Sequence, residues 1–291
     1  RLRRLEAGGG DASHILDRDS LAHLRVAGQM YEACRSYLTP ALSSSFWSAH
    51  EKNDKTGIEW AIKLDSATSS VVASWEVDCP HTDVIKVLAI QLEWDLRAGT
   101  EMDPEARSAK ELCGDQGNPY IGTWHVLSDK EDGKKEDIVA HTICLDALAD
   151  PQGTIWCIVG PTQQDCGKYL GSSLPCRLEG HTRPAPDGFL WGATLTPYGP
   201  SAADRRRGFR MRGACRLPAF PEALVRMGSR MPSFLLRPLV RTSVEQAASI
   251  NSLVHVVETK ASDLEERLRS SPRAELYGQL RRQLSGERRP P

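Results

Sequence analysis

Three features are missing from this sequence. It has no long apolar run, since even residues 155–159 and 253–257 fall far short of the roughly 20 apolar residues that a membrane-spanning helix needs. It has no excess of charge of one sign, because 37 Lys and Arg residues and 38 Asp and Glu residues leave a net charge of −1. It has no C-x-x-C pair. The balance of charge argues against a general attraction to nucleic acid or to a membrane, and we predict no nucleic-acid partner.

Catalytic motifs are also missing. The sequence contains no G-x-S-x-G turn, no Walker loop, no dinucleotide-binding glycine pattern and no H-E-x-x-H pair. Cys166 stands beside Asp165 and near Lys168, which is compatible with a reactive thiol, but an unreactive cysteine in a surface loop is the simpler interpretation. We therefore predict that the protein is not an enzyme and that it has no catalytic residue and no cofactor.

His125 and His141 are the candidates for a metal site. If the charged loop around Gly133 is symmetric, they lie opposite each other across a hairpin, with about 5 Å between their Cβ atoms. A zinc site needs three or four ligands, and the neighbouring Leu127 and Ile143 supply none. Packed or hydrogen-bonded histidines are the preferred interpretation, and no metal is predicted.

The eight cysteines are spread along the chain and do not resemble a disulfide framework. Free cysteine is among the most buried residue types, so most of them are interpreted as small core residues of an intracellular, reducing compartment. The sequence begins with Arg1 rather than Met, and import into an organelle after removal of a targeting peptide therefore stays open.

A hydrophobic content of 40% and 291 residues are typical of a soluble globular protein with a sizeable core. Apolar spacing predicts a helix ending near Tyr37, then two paired strands around Trp60 and Trp75, and then a helix after Pro80. Residues 100–119 are predicted to form a short helix inside a long connection. A hairpin over residues 122–148 follows, and further strands are predicted at residues 153–159 and 176–181.

The last third of the sequence is the most informative. Residues 188–197 and 209–218 form a hairpin pattern that leads directly into an apolar helix from Ala219. We interpret this arrangement as a curved antiparallel sheet that grips a long C-terminal helix and encloses a space against it. The predicted boundaries are a flexible lead-in over residues 1–16, a domain over residues 17–258, and a charged helical tail over residues 259–291 that reaches out from the domain.

Three motifs follow one another along the sequence. The first is Pro80 followed by Val84-Ile85-Lys86-Val87-Leu88 and Glu93-Trp94-Asp95, and it is similar to the "P…V…L…WD" helix of the START family of lipid-transfer domains. Trp191-Gly192-Ala193-Thr194-Leu195-Thr196-Pro197 resembles its late strand, and Arg212-Gly213-Ala214-Cys215-Arg216-Leu217-Pro218 resembles the segment before its terminal helix, without the family's Asp. The family's Arg-Asp strand motif is missing between residues 122 and 161. The resemblance therefore implies an α+β helix-grip fold and a lipid-like ligand, but no individual binding residue.

Large and flexible apolar side chains are the candidates for a cavity wall. Five tryptophans fall in predicted strands, and methionines on the terminal helix would offer an adaptable apolar surface. A filled core is the alternative for any single tryptophan. The candidate wall residues are Trp75, Trp191, Met227 and Met231.

Arginines form the second candidate site. In the strand over residues 209–217, Phe209 and Met211 face one way, whereas the neighbouring arginines face the other. A solvated outer face is the plain interpretation, and contact with an anionic membrane or an acidic protein is the alternative, worth about 1 kcal/mol per basic residue near such a membrane. The candidate contact residues are Arg205, Arg206, Arg207, Arg210 and Arg212.

Two functions are compatible with these patterns. The first is non-catalytic binding or transfer of a lipid or another hydrophobic small molecule in an internal cavity. The second is a structural or adaptor subunit of a larger assembly that keeps a START-like fold without ligand transfer, since fold alone does not determine function. A cavity of several hundred Å³ favours the carrier, and bulky side chains filling that space favour the adaptor.

Overall fold

A computed structural model describes residues 18–65, 70–112, 119–130, 132–150, 153–161, 167–169, 172–183, 190–198, 208–217 and 250–286. The helices are α1 (Arg18–Leu38), α2 (Val84–Leu92), α3 (Ile250–Thr259), α4 (Ala261–Ser270) and α5 (Ala274–Leu284), with a 3-10 turn at Trp94–Leu96. The strands are β1 (Ala49–Lys52), β2 (Glu59–Asp65), β3 (Ser70–Pro80), β4 (Ala106–Leu112), β5 (Ile121–Asp129), β6 (Lys135–Ala147), β7 (Thr154–Pro161), β8 (Gly167–Tyr169), β9 (Ser172–Leu174), β10 (Leu190–Pro197) and β11 (Gly208–Leu217).

Nine of these strands form one curved sheet in the order β1-β2-β3-β11-β10-β7-β6-β5-β4. Every pair of neighbours in it is antiparallel, as the sequence predicts. β3 and β11 pair along ten residues from Gly208↔Pro80 to Leu217↔Val71, so the first strands of the chain are joined to the last. β8 and β9 form a separate two-stranded hairpin.

The outer face of the sheet is covered by α1. Gly192 on β10 and Gly160 on β7 have no side chain, and this lets the helix approach closely. A Cβ atom at Gly192 would lie 2.7 Å from the sulfur of Cys34, and one at Gly160 would lie 2.8 Å from the terminal methyl of Met30. The helix therefore packs directly on the strand backbones.

The inner face of the sheet carries α2. Asp83 begins this helix by accepting hydrogen bonds from the amides of Ile85 (2.8 Å) and Lys86 (3.2 Å), as a capping residue does. Apart from Lys86, every residue of α2 is buried, so the helix is enclosed on nearly all sides. It packs against β6 and β7, where the inward side chains Cys144 and Cys157 are small enough for a helix to approach.

The position of the C-terminal helices differs from the prediction. The sequence predicts that residues 259–291 reach out from the domain, but α4 and α5 pack against α2. Their few large apolar residues recur at helical spacing, so each short helix has one apolar face despite its charge. The buried residues of this face are Leu264, Leu268, Leu276, Tyr277, Leu280 and Leu284, and all belong to the main core.

Two other expectations fall outside the described residues. These are the lead-in over residues 1–16 and the part of the gripped helix between residues 219 and 249. Residues 250–259, at the end of the expected helix, form α3, which packs against α2. Among the described helices, none is both long and apolar enough to cross a bilayer.

Candidate functional site

The inner face of the sheet is apolar across its centre, and its side chains form rows of directly opposite residues. The first inner row runs across six strands, with two indoles at one end and small side chains after them. Its members are Trp60, Trp75, Gly213, Ala193, Cys157 and Cys144. The second inner row lies beside it and consists of Ile62, Ala73, Cys215, Trp191, Val159, Thr142 and Gly122.

Two of the candidate wall residues lie on this face. Trp75 is fully buried on β3, and Trp191 is half-buried on β10, with only β11 between the two strands. The side chains near them in the second row are Ala73 and Cys215, which are small and apolar. Trp191 therefore places a partly exposed ring beside a patch of small buried side chains. Met227 and Met231 lie outside the described residues, and the role of all four as cavity wall stays a prediction.

The other strand tryptophans divide between the faces. Trp60 and Trp124 are buried on the inner face, and each lies opposite an inner-face partner. Trp156 lies on the outer face, where its ring contacts Tyr31 of α1 edge-on at 5.0 Å between centroids. Its indole N–H donates to the hydroxyl of Thr154 at 3.1 Å. Trp156 therefore belongs to the packing of α1.

A buried group of charges lies where the inner face meets α5. Arg273 is 2% exposed and Glu93 1% exposed, and one guanidinium nitrogen of Arg273 lies 3.3 Å from a carboxylate oxygen of Glu93. The same guanidinium also donates to both carboxylate oxygens of Glu111 on β4. The Tyr277 hydroxyl donates to the second Glu93 oxygen at 2.9 Å. Together these contacts tie α5 to the end of α2 and to the edge of the sheet.

The protonation states of this group follow from its surroundings. Burial alone would lower the pKa of Arg273, but hydrogen bonding to Glu111 and the charges of Glu93 and Glu111 raise it overall, so the guanidinium stays charged. Burial, together with the neighbouring Glu93 charge, raises the pKa of Tyr277 well above its usual range. Tyr277 therefore acts as a neutral donor.

No motif in the sequence predicts this group of residues. Glu93 belongs to the Glu93-Trp94-Asp95 motif, which indicates only a helix similar to that of the START family. Arg273 is one arginine in a segment rich in arginine. One signal was available, because Arg273 comes three and four residues before the apolar Leu276 and Tyr277, on what becomes the buried side of α5.

The histidines do not pair as the symmetric loop predicts. His125 lies opposite Val139, and His141 lies opposite Thr123. The Thr123 hydroxyl is 2.9 Å from Nδ1 of His141. The register differs because the turn between β5 and β6 is displaced from the assumed centre. Within the described ranges no group of three or more His, Cys, Asp or Glu side chains is placed to hold a metal ion.

Asp137 explains why residues 176–181 do not form the predicted strand. Its carboxylate accepts hydrogen bonds from Nε2 of His125 (2.8 Å), from Arg183 (2.9 Å) and from the amide of Leu178 (2.8 Å). Burial acts to raise the pKa of Asp137, but the bonds from Leu178 and Arg183 lower it overall. A buried, ionised carboxylate thus holds this segment against β6 in an irregular conformation.

The arginine side chains of β11 project from the outer face, as the alternation predicts. Nε of Arg210 lies 2.9 Å from Asp78 and 3.7 Å from Glu76. Arg212 is half-buried and donates to the carbonyl of Pro40, and burial lowers its pKa, opposed in part by the charge of Glu76. Both cations therefore have partners within the protein. Arg205, Arg206 and Arg207 lie outside the described residues.

A surface pocket lies at the same end of the outer face. Its volume is about 310 Å³, and the described residues that line it are Asp78, Thr196, Tyr198 and Arg210. Its lining includes the ion pair of Arg210 and Asp78, and it lies on the opposite face of the sheet from Trp75 and Trp191.

The described cysteines are mostly core residues, as predicted. Burial raises the pKa of Cys34, Cys79, Cys157 and Cys215 to about 12, so these side chains are thiols rather than reactive thiolates. Cys144 is buried in the same way, whereas Cys176 is exposed.

Solved structures with the same architecture carry START domains. The protein is similar to human STARD10, with a TM-score of 0.52 and 11% identity over 81% of this chain and 84% of that one. It is also similar to human StAR-related lipid transfer protein 5, with a TM-score of 0.49 and 11% identity over 80% and 98% of the two chains. A STAR-related lipid transfer protein from Xanthomonas axonopodis is similar with a TM-score of 0.48 and 15% identity, over 73% of this chain and 99% of that one. No protein-family model matches the sequence, and no curated protein matches it.

The chain therefore folds as a START-like, helix-grip domain. At 11% identity the similarity to STARD10 concerns the fold, and the ligand has to be argued from the residues of this chain.

Proposed function

We propose that this protein binds a lipid or another hydrophobic small molecule on the inner face of its sheet, without covalent chemistry. The observation that carries the proposal is the patch of small apolar side chains, Ala73 and Cys215, between the buried ring of Trp75 and the half-buried ring of Trp191. We name these four residues the inner patch.

The chemistry of the inner patch favours an apolar ligand. None of its side chains is charged, and the arginines of β11 project from the opposite face. A ligand covered by these side chains would gain about 25 cal/mol for each Å² of apolar surface removed from water. Small side chains beside large rings leave room for a ligand while the rings supply contact area. The similarity of the fold to lipid-transfer domains supports the same interpretation.

Filling the inner patch with a larger side chain should weaken ligand binding. We expect Ala73→Leu to lower the uptake of a fluorescent phospholipid from vesicles roughly tenfold, equivalent to about 1.4 kcal/mol. Its free energy of unfolding should change little, because the added carbons occupy ligand space. Uptake is measured by fluorescence and unfolding by urea denaturation, and native mass spectrometry of the purified protein identifies any lipid that it carries.

Ala61→Leu is the matched control. Ala61 is also a fully buried alanine, but it lies on the outer face and packs with Leu42, Trp47 and Val72. Overpacking there should cost about 1–3 kcal/mol of stability, while uptake per folded molecule stays unchanged. Unchanged uptake by Ala73→Leu would contradict the proposal.

A structural or adaptor subunit is the second candidate. The observation that favours it is the number of bulky, fully buried side chains in the inner core, including Trp60, Trp75, Phe209 and Tyr277. If the inner core is filled, Ala73→Leu should be destabilised as strongly as Ala61→Leu, and the purified protein should carry no lipid.

Docking on an anionic surface stays a prediction of its own. We expect binding to anionic vesicles to weaken steeply with salt, because the Debye length falls from about 10 Å at 0.1 M to about 3 Å at 1 M. Reversing Arg205, Arg206 and Arg207 to Glu should abolish binding. Arg210→Glu should have a smaller effect, because Arg210 already pairs with Asp78 and Glu76. Absence of vesicle binding at low salt would contradict the prediction.

A further inference from the structure

Two indole N–H groups in the inner core have no acceptor among the residues that the structure describes. Trp60 and Trp75 are directly opposite each other on β2 and β3, and both are 0% exposed. Neither Nε1 atom has a hydrogen-bond partner among the described residues. Buried polar groups are nearly always hydrogen-bonded, so two adjacent donors without acceptors require an explanation.

The described side chains around these donors offer little that could accept a hydrogen bond. The inward side chains next to them on β2, β3 and β11 are apolar, namely Ile62, Ala73, Val77, Met211 and Cys215. Glu51 lies opposite Trp60 on the edge strand β1, yet it does not accept from the indole. The ring of Trp75 lies over Gly213, with its Nε1 2.8 Å from where a Cβ would be, so the indole cannot turn toward the strand without a clash.

Trp60 and Trp75 differ from two other inner tryptophans, whose N–H groups also lack acceptors within the described part of the chain. Trp124 faces the guanidinium of Arg273 at 5.9 Å, and Trp94 faces that of Arg97 at 4.0 Å. Those rings take part in cation–π contacts beside buried charges. No cation among the described residues contacts the ring of Trp60 or Trp75, and Trp75 itself belongs to the inner patch.

We propose that the ligand of the inner patch is an uncharged lipid whose ester or ketone oxygen accepts hydrogen bonds from the indoles of Trp60 and Trp75. The inference rests on the proposed function and names its ligand class. A pure hydrocarbon leaves both donors unsatisfied. A fatty-acid anion would bring a buried charge beside two indole rings that no cation among the described residues contacts, and the arginines of β11 lie on the outer face.

The test compares probes that share one chain length. Methyl palmitate, hexadecane and palmitate are supplied from cyclodextrin to the full chain, and binding is measured by native mass spectrometry and competition with a fluorescent lipid. We expect methyl palmitate to bind most tightly. Trp75→Phe, which removes the N–H and keeps a ring, should weaken methyl palmitate about tenfold, as the loss of a neutral hydrogen bond does, and leave hexadecane unchanged.

Trp156→Phe is the matched control, because this indole lies on the outer face and already donates to Thr154. It should leave the binding of all three probes unchanged. Indole ¹⁵N–¹H spectra of the wild-type protein provide a readout that does not depend on a variant folding. The Trp60 and Trp75 signals should move downfield with methyl palmitate and stay in place with hexadecane.

Each outcome decides the matter. Equal weakening of methyl palmitate and hexadecane by Trp75→Phe, or tighter binding of palmitate than of its ester, would overturn the inference while the proposed function stands. If the ester binds but the Trp60 and Trp75 indole signals do not move, the inference is also overturned while the proposed function stands. Binding of none of the three probes would overturn the proposed function and the inference with it.

Discussion

Replacing Arg273 with alanine is expected to lower the free energy of unfolding by about 3–5 kcal/mol. The change leaves the buried Glu93 carboxylate without its nearest cation; of the described residues, the Tyr277 hydroxyl and the more distant Arg267, at 3.9 Å, still contact it. It also detaches α5 from Glu111 on the sheet edge. Urea denaturation, followed by the far-ultraviolet circular dichroism of the full chain, measures the loss.

Two variants separate the charge effect from simple truncation. Arg282→Ala removes an exposed arginine from the same helix and should change stability by no more than about 0.5 kcal/mol. The double variant Glu93→Gln/Arg273→Met removes the unpaired charge and keeps an acceptor for the Tyr277 hydroxyl. It should therefore be more stable than Arg273→Ala, although less stable than the wild-type protein. If Arg273→Ala costs less than about 1 kcal/mol, the buried network does not hold α5 in place.

Gly213→Ala is expected to destabilise the protein by about 1–3 kcal/mol or more. Gly213 lies in the middle of β11, and a Cβ atom there would lie 2.8 Å from Nε1 of Trp75 and closer still to two of its ring carbons. The ring is fully buried between the strand and the core, so neither group can move without disturbing the packing. Thermal and urea denaturation measure the effect.

Gly278→Ala on α5 is the contrasting substitution. The nearest atom to its Cβ would be a terminal nitrogen of Arg282 at 3.5 Å, which is ordinary contact with a flexible side chain. Alanine in a helix interior should raise stability by about 0.5–1 kcal/mol. For Gly213, a double-mutant cycle with Trp75→Leu should give a coupling of at least about 0.5 kcal/mol, and additive effects would show that the ring is not the cause.

The alternation of inward and outward side chains along the strands was predictable from the sequence. In β11 the inward Phe209 and Met211 alternate with the outward Arg210 and Arg212, and the structure confirms this division. The reason is local, because side chains of a strand alternate between the two faces whatever the neighbouring strands are. The same reasoning located β2, β3, β7 and β10.

β4 was not predictable in the same way. Residues 100–119 were expected to contain a helix, but Ala106–Leu112 is a strand. It is an edge strand that pairs only with β5, and most of its residues are half-buried or exposed, so it lacks an alternating apolar pattern. Its conformation is decided by backbone hydrogen bonds to β5 rather than by its own side chains.

The sequence by itself determined the antiparallel sheet, the helix after Pro80 and the inward position of Trp75 and Trp191. Each of these follows from patterns within a few residues, and the order of the motifs was enough to indicate a START-like fold. The tertiary structure decided where the buried charges lie and where the C-terminal helices go. Arg273 meets residues about 160–180 positions away, at Glu111 and Glu93, and such a contact has no local pattern. A buried arginine is tolerated only when distant carboxylates meet it, so its place appears only once the whole chain is folded.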